Sequence, residues 1–319
     1  MKYIIGAYAS APSLGNKDSE IESIFYDKLI QSIPEIRGLE IPFYGSEIHQ
    51  FGTDFLLNII KPDWDNVLTC IPGTMNFLAK MPEFGLASDN HLGRTQAIAM
   101  HKRANYILHK MNDLYGRKSI FTVQIHTAPS FPVKRVSSSI DSFLKSLDEI
   151  LSWDWGNSKI VIEHCDSFVN NRSFEKGFFP IEDEIETLLK VRDSYNIGIT
   201  VNWARSVIEG RDINTPIDHI KLLSKYNLFS GLIFSGTSNH DNLYGSWKDT
   251  HMPFSCSSNS NNSLLTEENI NLTLNSFDIK KIDYLGVKLL LMPINSFDTD
   301  RRVGINMDAI SVLNRTLNQ

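Results

Sequence analysis

Glu163 is the residue of this sequence whose position points most directly to chemistry. It ends the apolar stretch in KIVIEHCDSF, where a buried strand would end. A carboxylate at such a place is costly unless a metal ion, an arginine or the hydroxyl groups of a substrate satisfy it. The motif therefore predicts either a carboxylate that acts as a base or metal ligand, or one that forms a structural ion pair.

His126 takes a similar place in TVQIHTAPS, at the end of another apolar stretch. An imidazole can act as a general acid, bind a metal, or remain a hydrogen-bonded core residue. All three interpretations stay open for His126. His164 directly follows Glu163, so we expect it to point to the opposite side of its strand.

Asn202, Trp203 and Arg205 end a third apolar stretch, in ITVNWARSV. Arginine offers a fixed positive charge with five donors, which suits a carboxylate, a phosphate or Glu163 itself. A buried bridge from Arg205 to an Asp or Glu is an equal alternative. Trp203 could provide an apolar platform for a sugar ring, or pack in the core.

Asp249 and His251 stand two residues apart in SWKDTHMPF, a spacing that lets both side chains reach one metal ion. The same pattern also occurs in ordinary solvated loops. With His126 and Glu163 they form the candidate ligands of a divalent ion such as Zn, Mn or Mg. The candidate substrate-binding residues are Tyr8, Tyr44, Asn202, Trp203, Ser235 and His240.

The elements that would position these residues alternate along the chain, with short apolar runs separated by segments of helical spacing. The predicted strands are residues 3–8, 39–44, 66–70, 120–126, 160–163, 197–203, 231–235 and 284–292. The predicted helices are residues 21–33, 54–60, 95–114, 139–151, 181–195, 217–226, 266–275 and 306–317. Ser88 or Asp89 is the expected cap of the helix that contains residues 95–114.

This alternation predicts an α/β fold, a single (β/α)8 TIM barrel over residues 1–319 with an extended loop after strand seven, at about 236–264. An open doubly wound sheet is the alternative. Barrel loops at the carboxyl ends of the strands converge on one mouth, so function is expected there. Within the loop, SCSSNSNNS (residues 255–263) is rich in small polar residues and predicts a mobile segment.

The composition argues against several classes of protein. The chain has 319 residues, 42% of them hydrophobic, and a formal net charge of -6, which argues against general nucleic-acid binding. No apolar run approaches the ~18 residues that cross a bilayer, so no membrane role is expected. No Gly-x-Gly-x-x-Gly follows the first strand, and no nucleotide cofactor is expected. Three widely spaced cysteines favour a reducing, cytoplasmic location.

Three motifs, IHTAPS, IEHCDS and DTH, resemble in their order those of the xylose-isomerase-like barrels. That superfamily includes sugar isomerases, sugar epimerases and zinc-dependent apurinic endonucleases. The resemblance implies that Glu163 is the metal carboxylate of strand five, that His126 is the histidine of strand four, and that Asp249 with His251 is the Asp-x-His pair. Cys70 stands where a histidine ligand is usual and could bind a soft metal such as zinc.

The chain departs from the superfamily pattern at two places. Asn202-x-x-Arg205 replaces an Asp-x-x-His of strand six, which disfavours a metal there. The strand-eight carboxylate is replaced by Leu291 or Met292 in VKLLLMP, so a two-carboxylate proton shuttle is in doubt. The length and the KDTHMP segment also resemble an uncharacterised bacterial family of this superfamily.

The leading hypothesis is a sugar or sugar-phosphate isomerase or epimerase that transfers a proton next to a carbonyl, with or without a metal. Glu163 would be its base or metal ligand, His126 its acid or ligand, and Arg205 would stabilise an enediolate or hold a phosphate. The alternatives are a metal-dependent hydrolase of the same superfamily and a non-catalytic sugar-binding barrel. The expected partner is a small carbohydrate, and a homo-oligomer is compatible with the sequence.

Overall fold

Eight strands follow one another along the chain. The structure, a computed structural model, describes residues 1–15, 17–130 and 136–318. The strands are β1 (Tyr3–Ile5), β2 (Ile36–Pro42), β3 (Asn66–Thr69), β4 (Ile120–Ile125), β5 (Lys159–His164), β6 (Ile197–Asn202), β7 (Phe229–Phe234) and β8 (Tyr284–Val287). Each overlaps one of the predicted apolar runs, although β8 ends five residues before its run does.

The eight strands form a closed barrel in the order β1 to β8. The parallel pairs include β1 with β2 and β8, β4 with β3 and β5, and β7 with β8. This confirms the predicted (β/α)8 fold and excludes the open sheet. The strands are short and buried, as expected where helices cover a parallel sheet.

The helices lie between and after the strands. They are α1 (Ala7–Ser10), α2 (Ser19–Ser32), α3 (Thr53–Leu57), α4 (Ile71–Leu78), α5 (His91–Tyr115), α6 (Ile140–Leu151), α7 (Ile181–Leu189), α8 (Trp203–Gly210), α9 (Thr215–Lys225), α10 (Glu267–Leu274) and α11 (Thr299–Leu317). The prediction missed α1, α4 and α8, which begin within two residues of a strand end. The predicted cap of α5 was wrong: Asn90 caps it, its side-chain oxygen accepting from the N–H of Gly93 at 2.9 Å.

The chain divides into two compact units. The first unit comprises Met1–Glu40, Val201–Lys225 and Phe229–Gln319, and the second comprises Ile41–Thr200 and Tyr226–Leu228. That residues 1–319 form a single domain stays a prediction. Among the described residues, none of the helices combines the length and the apolar character that a bilayer span requires.

Hydrogen bonds join several parts of the loop after β7. Gly236 and Met252 exchange backbone hydrogen bonds of 2.9 and 3.0 Å, which close the loop upon itself. Ser257, Ser260 and Ser263 are buried, and the Ser257 hydroxyl donates to Asp308 of α11 at 2.9 Å. The Ser263 hydroxyl accepts from the backbone N–H of Leu265 at 3.3 Å. Part of this small polar stretch is therefore packed in the loop, and its mobility stays a prediction.

Candidate functional site

His126 and Glu163 meet in the second unit. The β4–β5 register pairs Ile125 with Ile162, so the next residue of each strand also lies side by side. The Nε2 atom of His126 lies 3.0 Å from Oε2 of Glu163, and neither side chain has any exposed surface. The two residues that the sequence singled out therefore form one buried acid–base pair.

A second buried pair fixes the backbone beside the first. His164 points away from Glu163, as expected, and its Nδ1 lies 2.9 Å from Oε2 of Glu184 in α7. The hydroxyl of Thr127 donates to Oε1 of the same carboxylate at 3.1 Å. Because Thr127 follows His126 and His164 follows Glu163, Glu184 connects the two residues that directly follow the acid–base pair.

His101 of α5 is a buried histidine of the same unit. Its Nδ1 lies 2.8 Å from the carbonyl oxygen of Ala97, so this nitrogen must be the donor. Burial, with smaller contributions from the charges of His126 and Arg103, lowers the pKa of His101 to about 4, and the hydrogen bond to Ala97 opposes this shift. His101 is therefore neutral at pH 7 and packs in the core.

Arg205 and Asp249 form a buried ion pair in the first unit. Asn202 caps α8 by accepting from the backbone N–H of Arg205 at 3.5 Å, so the helix begins directly after β6. Nε of Arg205 lies 3.0 Å from Oδ2 of Asp249, and both side chains are buried. The structure thus has the Arg–Asp bridge that the sequence allowed as one of two alternatives.

His251 joins this pair through a single nitrogen. Its Nδ1 lies 2.8 Å from the hydroxyl oxygen of Ser235 and 3.4 Å from Oδ1 of Asp249. A Ser-His-Asp relay needs the serine on one ring nitrogen and the carboxylate on the other. The three residues lie together, but their arrangement is not that of a hydrolytic triad.

The other predicted substrate-binding residues are dispersed. Trp203 has no exposed surface, and its indole N–H donates to the hydroxyl of Thr273 in α10 at 3.0 Å. This placement is that of a packing residue and does not suit a sugar platform. His240 is exposed, whereas Tyr8 and Tyr44 are half-buried. A role for Tyr8, Tyr44, Ser235 or His240 in substrate binding stays a prediction.

A buried cluster of Glu40, Lys288 and Tyr8 in the first unit was missed by the sequence reasoning. Nζ of Lys288 lies 2.5 Å from Oε1 of Glu40, and neither side chain is exposed. The hydroxyl of Tyr8 donates to the same oxygen at 3.2 Å. The signal was available, since GLEIPF and YLGVKLLL each place one charge inside an apolar run. Lys288 was overlooked because strand eight was predicted to continue to residue 292.

A model of one protein family matches residues 4–305 of the chain; its description is a domain of unknown function, DUF4862. This chain belongs to the DUF4862 family. An uncharacterised protein of Salmonella typhimurium, STM3670, is 34% identical over 318 residues, covering 98% of this chain and 97% of that protein. The family assignment establishes relatedness and gives no activity.

Solved structures similar to this DUF4862 chain include a D-tagatose 3-epimerase-like protein and a putative sugar phosphate isomerase/epimerase, and they confirm the barrel fold that the resemblance predicted. A D-psicose 3-epimerase solved in the presence of D-fructose has a TM-score of 0.59, with 13% identity and 100% of both chains covered. The IOLI protein with a bound zinc atom has a TM-score of 0.59, with 11% identity and 99% of both chains covered. At these identities the similarity shows the fold alone.

The zinc of that neighbour raises the question of whether the predicted ligands suit a metal ion in this DUF4862 chain. Arg205 lies at hydrogen-bond distance from Asp249, and such a permanent cation repels a second one. Cys70 is fully buried, and burial raises the pKa of its thiol, which disfavours the thiolate that metals bind. Asp249 and Cys70 therefore do not fit a divalent ion, and a bound metal stays a prediction.

Proposed function

We propose that this protein is a carbohydrate isomerase or epimerase that transfers a proton on the carbon next to a carbonyl group. The observation that carries the proposal is the buried contact between His126 and Glu163, whose Nε2 and Oε2 atoms lie 3.0 Å apart. General acid–base catalysis needs titratable side chains held together where both can reach the reacting atoms of a substrate. Imidazole and carboxylate are both of this kind.

In this proposal Glu163 removes the proton from the carbon, and His126 supplies a proton to the developing oxyanion. The hydrogen bond between them orients the Glu163 carboxylate, and Glu184 holds the backbone that follows both residues. Burial keeps water from competing for the transferred proton. Arg205 is not assigned to the oxyanion or to a phosphate, because its guanidinium group is engaged by Asp249.

The carbohydrate class is supported by the fold neighbours, among them the D-psicose 3-epimerase solved with D-fructose. A shared fold carries many chemistries, so the neighbours alone do not define the substrate. The substrate class therefore needs a direct test that does not presuppose one sugar.

The test is solvent exchange. Purified protein is incubated in deuterium oxide with a panel of ketoses, aldoses and their phosphates, with and without Mg²⁺, Mn²⁺ or Zn²⁺, and deuterium beside the carbonyl is measured by NMR. We expect exchange with at least one sugar and a loss of about 10²–10⁴-fold in Glu163→Gln. Glu186→Gln, which alters an exposed carboxylate of α7, is the matched control and should keep the exchange rate.

The alternatives give different results in the same experiment. Saturable sugar binding without exchange would indicate a non-catalytic binding barrel and overturn the proposal. Exchange that appears only with added metal and survives Glu163→Gln would remove Glu163 as the base. Hydrolysis of a substrate without exchange would favour the hydrolase alternative.

A further inference from the structure

Lys288 and Glu40 form a buried amine–carboxylate pair that the proposed function does not use. Nζ of Lys288 lies 2.5 Å from Oε1 of Glu40, and both side chains are fully buried. Tyr8 donates to the same carboxylate oxygen and is itself partly exposed. The buried pair is thus one hydrogen bond away from a side chain that meets solvent.

The backbone around Lys288 holds its side chain in a defined place. The Lys288 N–H donates to the carbonyl of Phe234 at 3.0 Å, directly beyond the β7–β8 pairing. A Cβ atom added at Gly6 would lie 3.0 Å from both Cβ and Cγ of Lys288, a closer approach than side chains normally make. The lysine stem therefore passes a position at the end of β1 that only glycine leaves open.

Stability alone does not account for this pair. Replacing a buried ion pair by apolar residues of similar volume is often neutral or stabilising, because both charges lose their hydration. The charged atoms are therefore better explained by chemistry.

The pair differs from an arginine ion pair because an ammonium group, unlike guanidinium, can give its proton to a carboxylate. Lysine amines in desolvated sites act as covalent nucleophiles once they are neutral. Glu40 lies within hydrogen-bond distance of Nζ and can take that proton, which leaves a neutral amine beside a neutral acid. We propose that Lys288 forms a Schiff base with the carbonyl group of a small aldehyde or ketone.

The reaction balances within these groups and the carbonyl compound. Glu40 takes one proton from the Lys288 ammonium group, and the freed lone pair on Nζ attacks the carbonyl carbon. The carbonyl oxygen takes a proton from nitrogen and a second from Glu40 and leaves as water, forming the C=N bond. The remaining N–H gives a cationic iminium ion, with Glu40 again a carboxylate.

A binding site for an anion is the other role that a buried lysine could have. Glu40 neutralises the charge of Lys288 at 2.5 Å, so the pair presents no net positive charge to a phosphate or carboxylate. The contact that disfavours anion binding is the one that assists imine formation.

Reductive trapping tests the proposal without a known substrate. The intact protein is incubated with limiting glycolaldehyde and sodium cyanoborohydride, which reduces an iminium ion to a stable secondary amine. Peptide mass spectrometry then compares the modification rates of Lys288 and Lys190, an exposed lysine that also pairs with a glutamate, at 2.8 Å. We expect Lys288 to react about tenfold faster in the folded protein and the difference to disappear in urea.

Each outcome bears on the proposal. Modification of Lys288 no faster than Lys190 overturns it. Glu40→Gln should slow the modification of Lys288 and leave Lys190 unchanged; equal rates in both proteins would remove Glu40 as the proton acceptor. If Glu40→Gln does not fold, the wild-type comparison still decides whether Lys288 is the nucleophile. Solvent exchange of sugars without faster modification of Lys288 would support the proposed function and reject the Schiff base. Faster modification of Lys288 without solvent exchange would support the Schiff base and reject the proposed function.

Discussion

Two buried contacts, one in each unit, differ in what they can do with a proton. His126 and Glu163 lie 3.0 Å apart in the second unit, and Arg205 and Asp249 lie 3.0 Å apart in the first. Each pair has a member at or shortly after the end of a barrel strand, and both pairs are buried. Imidazole changes protonation near neutral pH, whereas guanidinium stays charged.

The comparison teaches that distance and burial alone do not identify a catalytic pair. Arg205 connects α8 to the loop that carries Asp249. Because guanidinium keeps its charge, this ion pair is suited to fixing the loop to the helix. His126 and Glu163 can pass a proton between them, so the same geometry suits catalysis. A catalytic pair should affect the reaction rate when it is broken, whereas a pair that holds a loop should affect stability.

The largest expected effect is on the solvent exchange rate. Glu163→Gln and His126→Asn should each lower it by about 10²–10⁴-fold. If the two residues act as one unit, the double variant should lose no more than the worse single variant, as groups that act together are strongly non-additive. Exchange rates of all four proteins on the same sugar give the measurement. Additive losses would mean that the two residues act separately.

Breaking the Arg205–Asp249 pair should act on stability. Arg205→Met leaves the Asp249 carboxylate buried without its cation, so the free energy of unfolding should fall by about 3–5 kcal/mol in urea titrations. The double variant Arg205→Met/Asp249→Leu should recover most of that loss, because neither charge remains buried.

A surface pair provides the matched control for that experiment. Lys190 and Glu186 lie 2.8 Å apart on exposed parts of α7 and its end. Lys190→Met should change the free energy of unfolding by only about 0.3–0.5 kcal/mol, since exposed pairs are solvated. If Arg205→Met and Lys190→Met lower the free energy of unfolding equally, burial does not make the Arg205–Asp249 pair more important for stability than an exposed pair.

The sequence predicted the barrel because apolar runs and helical segments alternate, a pattern set by burial of strands under helices. It also predicted that His126 and Glu163 lie together, since residues that end neighbouring parallel strands are adjacent. These predictions needed only the order of elements. They required no knowledge of which side-chain atoms meet.

Pairings across long sequence distances were beyond the sequence. Nothing in the spacing shows that Arg205 reaches Asp249, or that Lys288 reaches Glu40, because such contacts depend on side-chain directions and on how distant segments fold together. The sequence also did not indicate where β8 ends, because apolar residues continue beyond Val287 and the hydrophobic pattern does not change there. Helices α1, α4 and α8 were missed for a similar reason: no polar linker separates them from the preceding strands.

His101 extends the comparison to a histidine that does not exchange protons near pH 7. Burial lowers the pKa of His101 to about 4 in the folded protein, against 6.5 for a solvated imidazole such as that of the unfolded chain. Between these values the unfolded state binds more protons than the folded state, so stability is lost as the pH falls from 6.5 towards 4. We expect this residue to contribute about 3 kcal/mol to that loss.

Urea titrations at pH 7.5 and pH 4.5, compared between the wild type and His101→Leu, isolate this contribution from the many carboxylates of the chain. The variant should lose less stability on acidification than the wild type does. The same pH dependence in both proteins would show that His101 has the same pKa in the folded and unfolded states.

The smallest effect is expected at Trp203, where a sugar platform and a packing residue make opposite predictions. Its indole N–H donates to Thr273, and the side chain has no exposed surface. Trp203→Phe keeps an aromatic ring but removes that donor, so it should reduce the free energy of unfolding by about 1–2 kcal/mol. Thr273→Val should cost a comparable amount, and the double variant should lose less than the sum because both remove the same bond. A sugar platform would instead leave stability unchanged and weaken sugar binding in Trp203→Phe alone, which Thr273→Val would not reproduce.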